Sequence, residues 1–96
     1  MAGFDARFRF TSSDLTPASV AAQTTAEQAF SNIPDVDAGD FVVATIKPTV
    51  DAGIAVAGAR VSAAGEITLT FINATGGALT PTAAETYRFL VAKRQP

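Results

Sequence analysis

Acidic side chains are densest in the segment DVDAGD, where Asp35, Asp37 and Asp40 lie within six residues. Carboxylates at alternate positions are how calcium loops begin, because Ca²⁺ takes oxygen ligands. The segment departs from the EF-hand pattern, since its glycine is misplaced and both a third alternate ligand and a closing glutamate are lacking. We therefore predict a polar turn that leads into a strand, with no metal and no cofactor.

Catalytic chemistry is limited by composition, because the chain has neither His nor Cys. Without them no Ser-His-Asp or Cys-His arrangement can form, and zinc loses both of its preferred ligand types. Carboxylate pairs remain, but the acidic residues fall mainly in predicted turns, and a 96-residue chain leaves little volume for the necessary cleft. The Gly76-Gly77 pair lacks the lysine and helix of a phosphate loop. We predict no catalytic residue and a protein that is not an enzyme.

The basic residues offer candidates for binding a partner. Net charge is −2, with seven basic and nine acidic groups and no basic stripe, so no nucleic-acid partner is predicted. No apolar run approaches the ~20 residues of a membrane span, so no membrane partner is predicted either. The candidates are Arg7 and Arg9, which form a small cationic patch or a solvated face, and Arg60, which reaches solvent or pairs with an acidic group.

Alternation at the N-terminal end predicts the strand that positions the first two arginines. Phe4, Phe8 and Phe10 alternate with Arg7 and Arg9, which predicts a half-buried strand with the rings in the core and the arginines outward. The segment Thr11–Pro17 (TSSDLTP) is predicted as a turn. We expect Met1–Phe10 to contribute to a contact between subunits.

The middle of the chain is predicted as strands, despite its alanine content. Large apolar residues between Ala18 and Phe30 are too sparse for an amphipathic helix, which favours two short strands at Ser19–Gln23 and Glu27–Ile33. Phe41–Ile46 is apolar on both faces, as expected for a central strand or for one that a neighbouring chain covers.

The last third of the chain has the clearest pattern. The segment GARVSA and the alternating residues from Glu66 to Phe71 predict a hairpin, and Thr86–Lys93 predicts the final strand after a long loop at Asn73–Ala84. Asn73-Ala74-Thr75 matches a glycosylation sequon, which we discount because no secretion signal precedes it. With seven to eight short strands and closely spaced turns, the chain is predicted to be all-β, a single antiparallel β-sandwich domain over residues 1–96.

Several short motifs resemble small β-structured virion proteins of tailed bacteriophages. These motifs are Ala38–Asp40, Gly58–Ala63, the strand end Phe71–Asn73, and Thr80-Pro81 before the last strand. The resemblance covers roughly the last two-thirds of the chain. It implies a jelly-roll-like fold and a head decoration (cement) protein on the outside of the major capsid lattice, and it supplies no binding residues.

The leading hypothesis is therefore a capsid decoration protein that binds the major capsid protein and forms a dimer or trimer. Such a protein is made in the bacterial host cytoplasm and lies on the capsid surface of the virion. Two alternatives stay open. One is a receptor- or carbohydrate-binding module of a tail fibre or spike, although the chain has no Trp for stacking on sugars. The other is a tail or connector component that uses Phe41–Ile46 for sheet augmentation.

Overall fold

The computed structural model describes residues 7–93, which form six strands in two antiparallel three-stranded sheets. The strands are β1 (Arg7–Leu15), β2 (Thr24–Phe30), β3 (Phe41–Ile46), β4 (Ile54–Ala63), β5 (Glu66–Asn73) and β6 (Glu85–Lys93). The first sheet has the order β1-β6-β3 and the second sheet the order β2-β5-β4. The all-β prediction is confirmed, whereas seven to eight strands were predicted and residues 7–93 contain six.

The predicted strand positions are right in the second half of the chain and wrong in parts of the first. Phe41–Ile46 is confirmed as β3, and the predicted hairpin is confirmed as β4 and β5. Thr11–Leu15, predicted as a turn, instead continues β1, because every residue there pairs with β6. The strand predicted at Glu27–Ile33 begins three residues earlier and ends at Phe30.

The strand predicted at Ser19–Gln23 is replaced by a single bridge between Val20 and Leu79. The neighbouring backbone of Ala18 pairs with a side chain instead of a strand. The Gln28 amide nitrogen donates to Ala18 O at 2.9 Å, and Gln28 Oε1 accepts from Ala18 N at 2.7 Å. These two bonds hold the chain before Val20 against β2, while Gln23, the last residue of the predicted strand, has a φ of 53° that an extended strand does not allow.

One apolar core joins the two sheets. Alternate residues of the two middle strands fill it, namely Ile67, Leu69 and Phe71 of β5 and Tyr87, Phe89 and Val91 of β6, all buried. The alternation predicted from the sequence for both strands is therefore confirmed. Ile33 and Val36, from the connection between β2 and β3, also belong to the core cluster.

The third strand lies at an edge of its sheet in the described residues, so a central position is wrong, while the alternative that a neighbouring chain covers it stays a prediction. β3 pairs with β6 on one side only. A bulge at Val43 shifts its register, so that Val42 lies opposite Val91 while Ala44 lies opposite Leu90. Because the bulge reverses the alternation, Phe41 and Ala44 share one face. Apolar residues on both faces therefore reflect an exposed apolar face and not a central position.

Candidate docking face

The side of the first sheet that points away from the core is apolar across all three strands. Phe8 on β1 lies beside Ala92 on β6, which lies beside Phe41 on β3. In the next row the cross-strand neighbours are Phe10, Leu90 and Ala44, followed by Ile46 on β3. We call these seven residues the apolar face: Phe8, Phe10, Phe41, Ala44, Ile46, Leu90 and Ala92.

The large side chains of the apolar face are exposed to an unusual degree. Phe10 is 80% exposed, Phe41 70%, Phe8 56% and Ile46 52%. Single exposed apolar side chains are common on proteins, but contiguous apolar patches mark sites of interaction. Covering this face would remove apolar area from water at a gain of about 25 cal/mol per Å².

The corresponding side of the second sheet is polar. Across its strands the Thr68 hydroxyl donates to Ser62 Oγ at 2.8 Å, and the Ser62 hydroxyl donates to Glu66 at 2.7 Å. Arg60 on β4 pairs with Glu27 on β2 at 3.4 Å. This side is suited to water, so the contrast between the two outer sides of the molecule singles out the apolar face.

One cation borders the apolar face. Arg88 on β6 lies between Ser12 on β1 and Ile46 on β3, and its side chain is exposed. No carboxylate of residues 7–93 pairs with it; the nearby Asp14 accepts a hydrogen bond from the Thr86 hydroxyl instead. Arg88 was not among the residues predicted to bind a partner, although its place on the same side of the last strand as Leu90 carried the signal.

The predicted orientation of β1 is wrong. Phe8 and Phe10 point away from the core, whereas Arg7 and Arg9 share the side of the strand that carries the buried Thr11 and Leu15. Side chains alternate strictly along this strand, so the burial of Leu15 at its far end fixes the orientation of every earlier residue. Phe4 lies outside the described residues.

The three arginines predicted to bind a partner are not brought together. Arg9 Nη1 lies 3.9 Å from Asp35 Oδ1, with both side chains more than half exposed. Arg60 lies on the polar side of the second sheet, away from the apolar face. Arg7 is exposed at the start of β1. A role of these arginines in partner binding stays a prediction.

The acidic segment forms an ion-pair cluster with a lysine. Lys93 Nζ lies 2.6 Å from Asp40 Oδ2 and 3.0 Å from Asp37 Oδ2, and it also donates to Asp35 O at 2.8 Å. The hydrogen bond to Asp40 is the main cause that raises the pKa of Lys93. Within residues 7–93, no group of three acidic side chains is arranged to hold a metal ion.

No known protein family, curated protein or solved structure matches the chain. The resemblance to phage virion proteins therefore stays a prediction from the sequence. The part of the chain from residue 7 to residue 93 contains no helix long and apolar enough to cross a membrane.

Proposed function

We propose that the protein is a non-catalytic docking module that binds a protein partner through the apolar face. In its specific form, the proposal is a decoration protein that binds the major capsid protein on the outside of a tailed-phage capsid. The exposed apolar face is the observation that carries the proposal, because the opposite side of the molecule is polar. The motifs that resemble phage virion proteins supply the choice of partner.

The three exposed phenylalanines are suited to anchor such a contact. A buried aromatic side chain covers roughly 150–250 Å², and aromatic residues are enriched among the residues that dominate binding energy. At about 25 cal/mol per Å², covering the exposed part of one ring is worth about 2–4 kcal/mol before the costs of association. Because Phe8, Phe10 and Phe41 stand on hydrogen-bonded strands, little further ordering is required when the partner binds.

The finer fold belongs to the same proposal. We expect the two sheets to form a jelly-roll-like β-sandwich, although a jelly roll has about eight strands and residues 7–93 contain six.

Sugar binding is the weaker alternative. Phe10 and Phe41 could stack on a sugar ring, but the polar side chains close to them on this side of the sheet are few, chiefly Ser12 and Arg88.

Cryo-electron microscopy of the virion tests where the protein lies. We expect density for this chain on the outer capsid surface, with the apolar face toward the lattice. Density in the tail would favour the tail or connector alternative and contradict a capsid location. Density with the polar side of the second sheet against the capsid would contradict the choice of face.

A binding assay with purified capsids tests the face itself. The double change Phe8→Ser and Phe10→Ser should weaken capsid binding by about 100-fold or more, because two anchoring side chains are lost. Its melting temperature should stay close to that of the parent, since both rings are already exposed. Ile72→Ser, on the polar side of the second sheet, is the matched control and should bind normally. Unchanged binding by the double variant would contradict the proposal.

A further inference from the structure

Four strands lie at sheet edges, and one of them lacks the usual protection. Edge strands expose unpaired N–H and C=O groups, which natural proteins commonly guard with charged side chains. Among the described edge strands, β1 carries Arg7, Arg9 and Asp14, β2 carries Glu27 and β4 carries Arg60. The third strand, Phe41–Ile46, has no charged residue.

The free edge of β3 is also accessible. A groove of about 200 Å³ runs between residues 42–45 of β3 and residues 56–59 of β4, where the two sheets meet at their edges. No strand of the described chain adds to β3 on this side. By contrast, β2 is tied to the segment that follows β1 through the two hydrogen bonds between Gln28 and Ala18.

The side chains at this edge are apolar and exposed. Val43 is the extra residue of the bulge, so it has no cross-strand partner on β6, and it is 54% exposed. Phe41 and Ile46 flank it and are exposed as well. A bulge commonly protects an edge by twisting it, but here it turns another apolar side chain toward solvent in a strand without charge.

We infer that β3 is an interface for a second copy of this chain, which pairs its own β3 antiparallel to the first across a two-fold axis. An uncharged strand meets an identical strand without the repulsion that like charges would cause. The pairing satisfies edge N–H and C=O groups and covers Val43 of both copies. It also joins two three-stranded sheets into one of six strands, with the apolar faces side by side. The inference does not depend on what covers the apolar face.

Sedimentation equilibrium of the purified chain gives the first test. We expect a dimer of twice the 9.8 kDa chain mass. Val43→Asp should raise the dimer dissociation constant by about tenfold or more, because it places two carboxylates near the two-fold axis. Phe10→Asp changes the opposite edge of the apolar face and should leave the dimer intact.

Disulfide trapping gives a second test that changes the side chain little. The chain has no Cys, so Val43→Cys supplies one thiol per copy. With the two-fold axis at Val43, the residue at the middle of β3, the two thiols lie directly opposite each other, within the Cα separation of about 4.4–6.8 Å that a disulfide needs. Mild oxidation should therefore link Val43→Cys into a dimer much faster than Ile72→Cys, an exposed position on the second sheet that serves as the control.

Three results would overturn the inference. The first is a wild-type chain that stays monomeric across the concentration range. The second is a dimer that survives Val43→Asp and is lost with Phe10→Asp, which would mean that the apolar faces stack on each other. The third is equal cross-linking of the two cysteine variants. The first and third results leave the capsid assay with the Phe8 and Phe10 variant untouched, so the two proposals can fail separately; the second would count against both, because it would place the apolar face in the dimer contact.

Discussion

Asn73 at the end of β5 organises the loop that follows it. Its side chain is buried and uses both polar atoms: Nδ2 donates to Val20 O at 3.0 Å and to Gly77 O at 2.9 Å. Oδ1 accepts from the backbone nitrogen and from the hydroxyl of Thr75, at 2.9 and 2.8 Å. The buried Asn73 side chain leaves no room for an attached glycan. Asn73 and Thr75, the two defining residues of the sequon, instead bond to each other and shape the loop.

Asn73→Ala should lower the free energy of unfolding by about 2–4 kcal/mol, because it leaves buried backbone groups without partners. Thr25→Ala, at an exposed position on β2, is the control and should change stability by less than about 0.5 kcal/mol. Urea denaturation of both variants measures the difference. A loss below about 1 kcal/mol for Asn73→Ala would mean that the loop is held by other contacts.

The Tyr87 hydroxyl is buried in the core with no hydrogen-bond partner among residues 7–93, and burial raises its pKa to about 12. An unsatisfied buried hydroxyl costs about 1–3 kcal/mol. Tyr87→Phe should therefore raise the free energy of unfolding by about 1 kcal/mol, measured by urea denaturation.

Tyr87→Leu controls for the ring, since a smaller side chain should leave a cavity and cost about 2–4 kcal/mol. If Tyr87→Phe were clearly destabilising, the hydroxyl would have to make a hydrogen bond in solution that the structure lacks.

The sequence pattern gave the right orientation for Tyr87 but the wrong one for Phe8 and Phe10. Both strands alternate well, and alternation alone does not say which side is buried. In β6 Arg88 lies on the side opposite Tyr87, so the sequence shows which side of the strand faces the core. In β1 Phe8 and Phe10 are far more apolar than Arg7, Arg9 and Thr11, which nevertheless share the side that faces the core. Exposed aromatic rings are the exception to the rule that prediction relies on, and here they form the candidate site.

At the scale of elements, a polar cluster ties the loop after β3 to the start of β6. Lys47 Nζ lies 2.6 Å from Asp51 Oδ2 and 3.4 Å from Glu85 Oε1. Asp51 also accepts hydrogen bonds from the backbone nitrogen and the hydroxyl of Thr82, at 3.0 and 2.7 Å. The hydrogen bond from Lys47 is the main cause that lowers the pKa of Asp51 from 3.8 to about 2.

The Asp51 cluster predicts a pH dependence of stability. A carboxyl group whose pKa is lower in the folded state stabilises the fold at pH values above its unfolded pKa. That contribution should be complete above about pH 4 and disappear as the pH falls from 3.8 to about 2. Asp51→Asn should therefore be less stable than the parent at pH 6, and the difference should shrink toward pH 2.

Urea denaturation of both chains between pH 6 and pH 2 measures this difference. Asp14→Asn is the control. Asp14 is more exposed than Asp51, and it accepts a hydrogen bond from Thr86 but has no lysine partner among residues 7–93. A difference between Asp51→Asn and the parent that stays constant down to pH 2 would contradict the lowered pKa.

Sequence pattern located β3, β5 and β6 well because their apolar residues alternate and turn residues flank them. It failed at Ser19–Gln23, where only Val20 forms a bridge and Gln23 has a positive φ, and where a polar run such as Thr11–Asp14 forms a ladder with β6. The edge position of β3 was also out of reach, because it depends on which strands pair across the sheet. Local residue types do not determine that choice.

At the scale of the whole molecule, two sheets share one core but present different outer sides. One side carries hydrogen-bonded polar pairs such as Thr68 with Ser62, and the other carries Phe8, Phe10 and Phe41. Composition could not predict this division, since the same seven Phe residues could all have been buried. The division follows from strand register and gives the molecule a side that is suited to a protein partner.

Hydroxyl-radical footprinting of the wild-type chain, free and in the assembled particle, tests that claim most directly. The method reports side-chain exposure through the extent of oxidation and requires no substitution. We expect oxidation of Phe8, Phe10 and Phe41 to fall several-fold on assembly, while oxidation of Ile72, on the polar side of the second sheet, stays unchanged. Equal oxidation of the three rings in both states, or protection of Ile72 instead, would contradict the assignment of the apolar face as the docking surface.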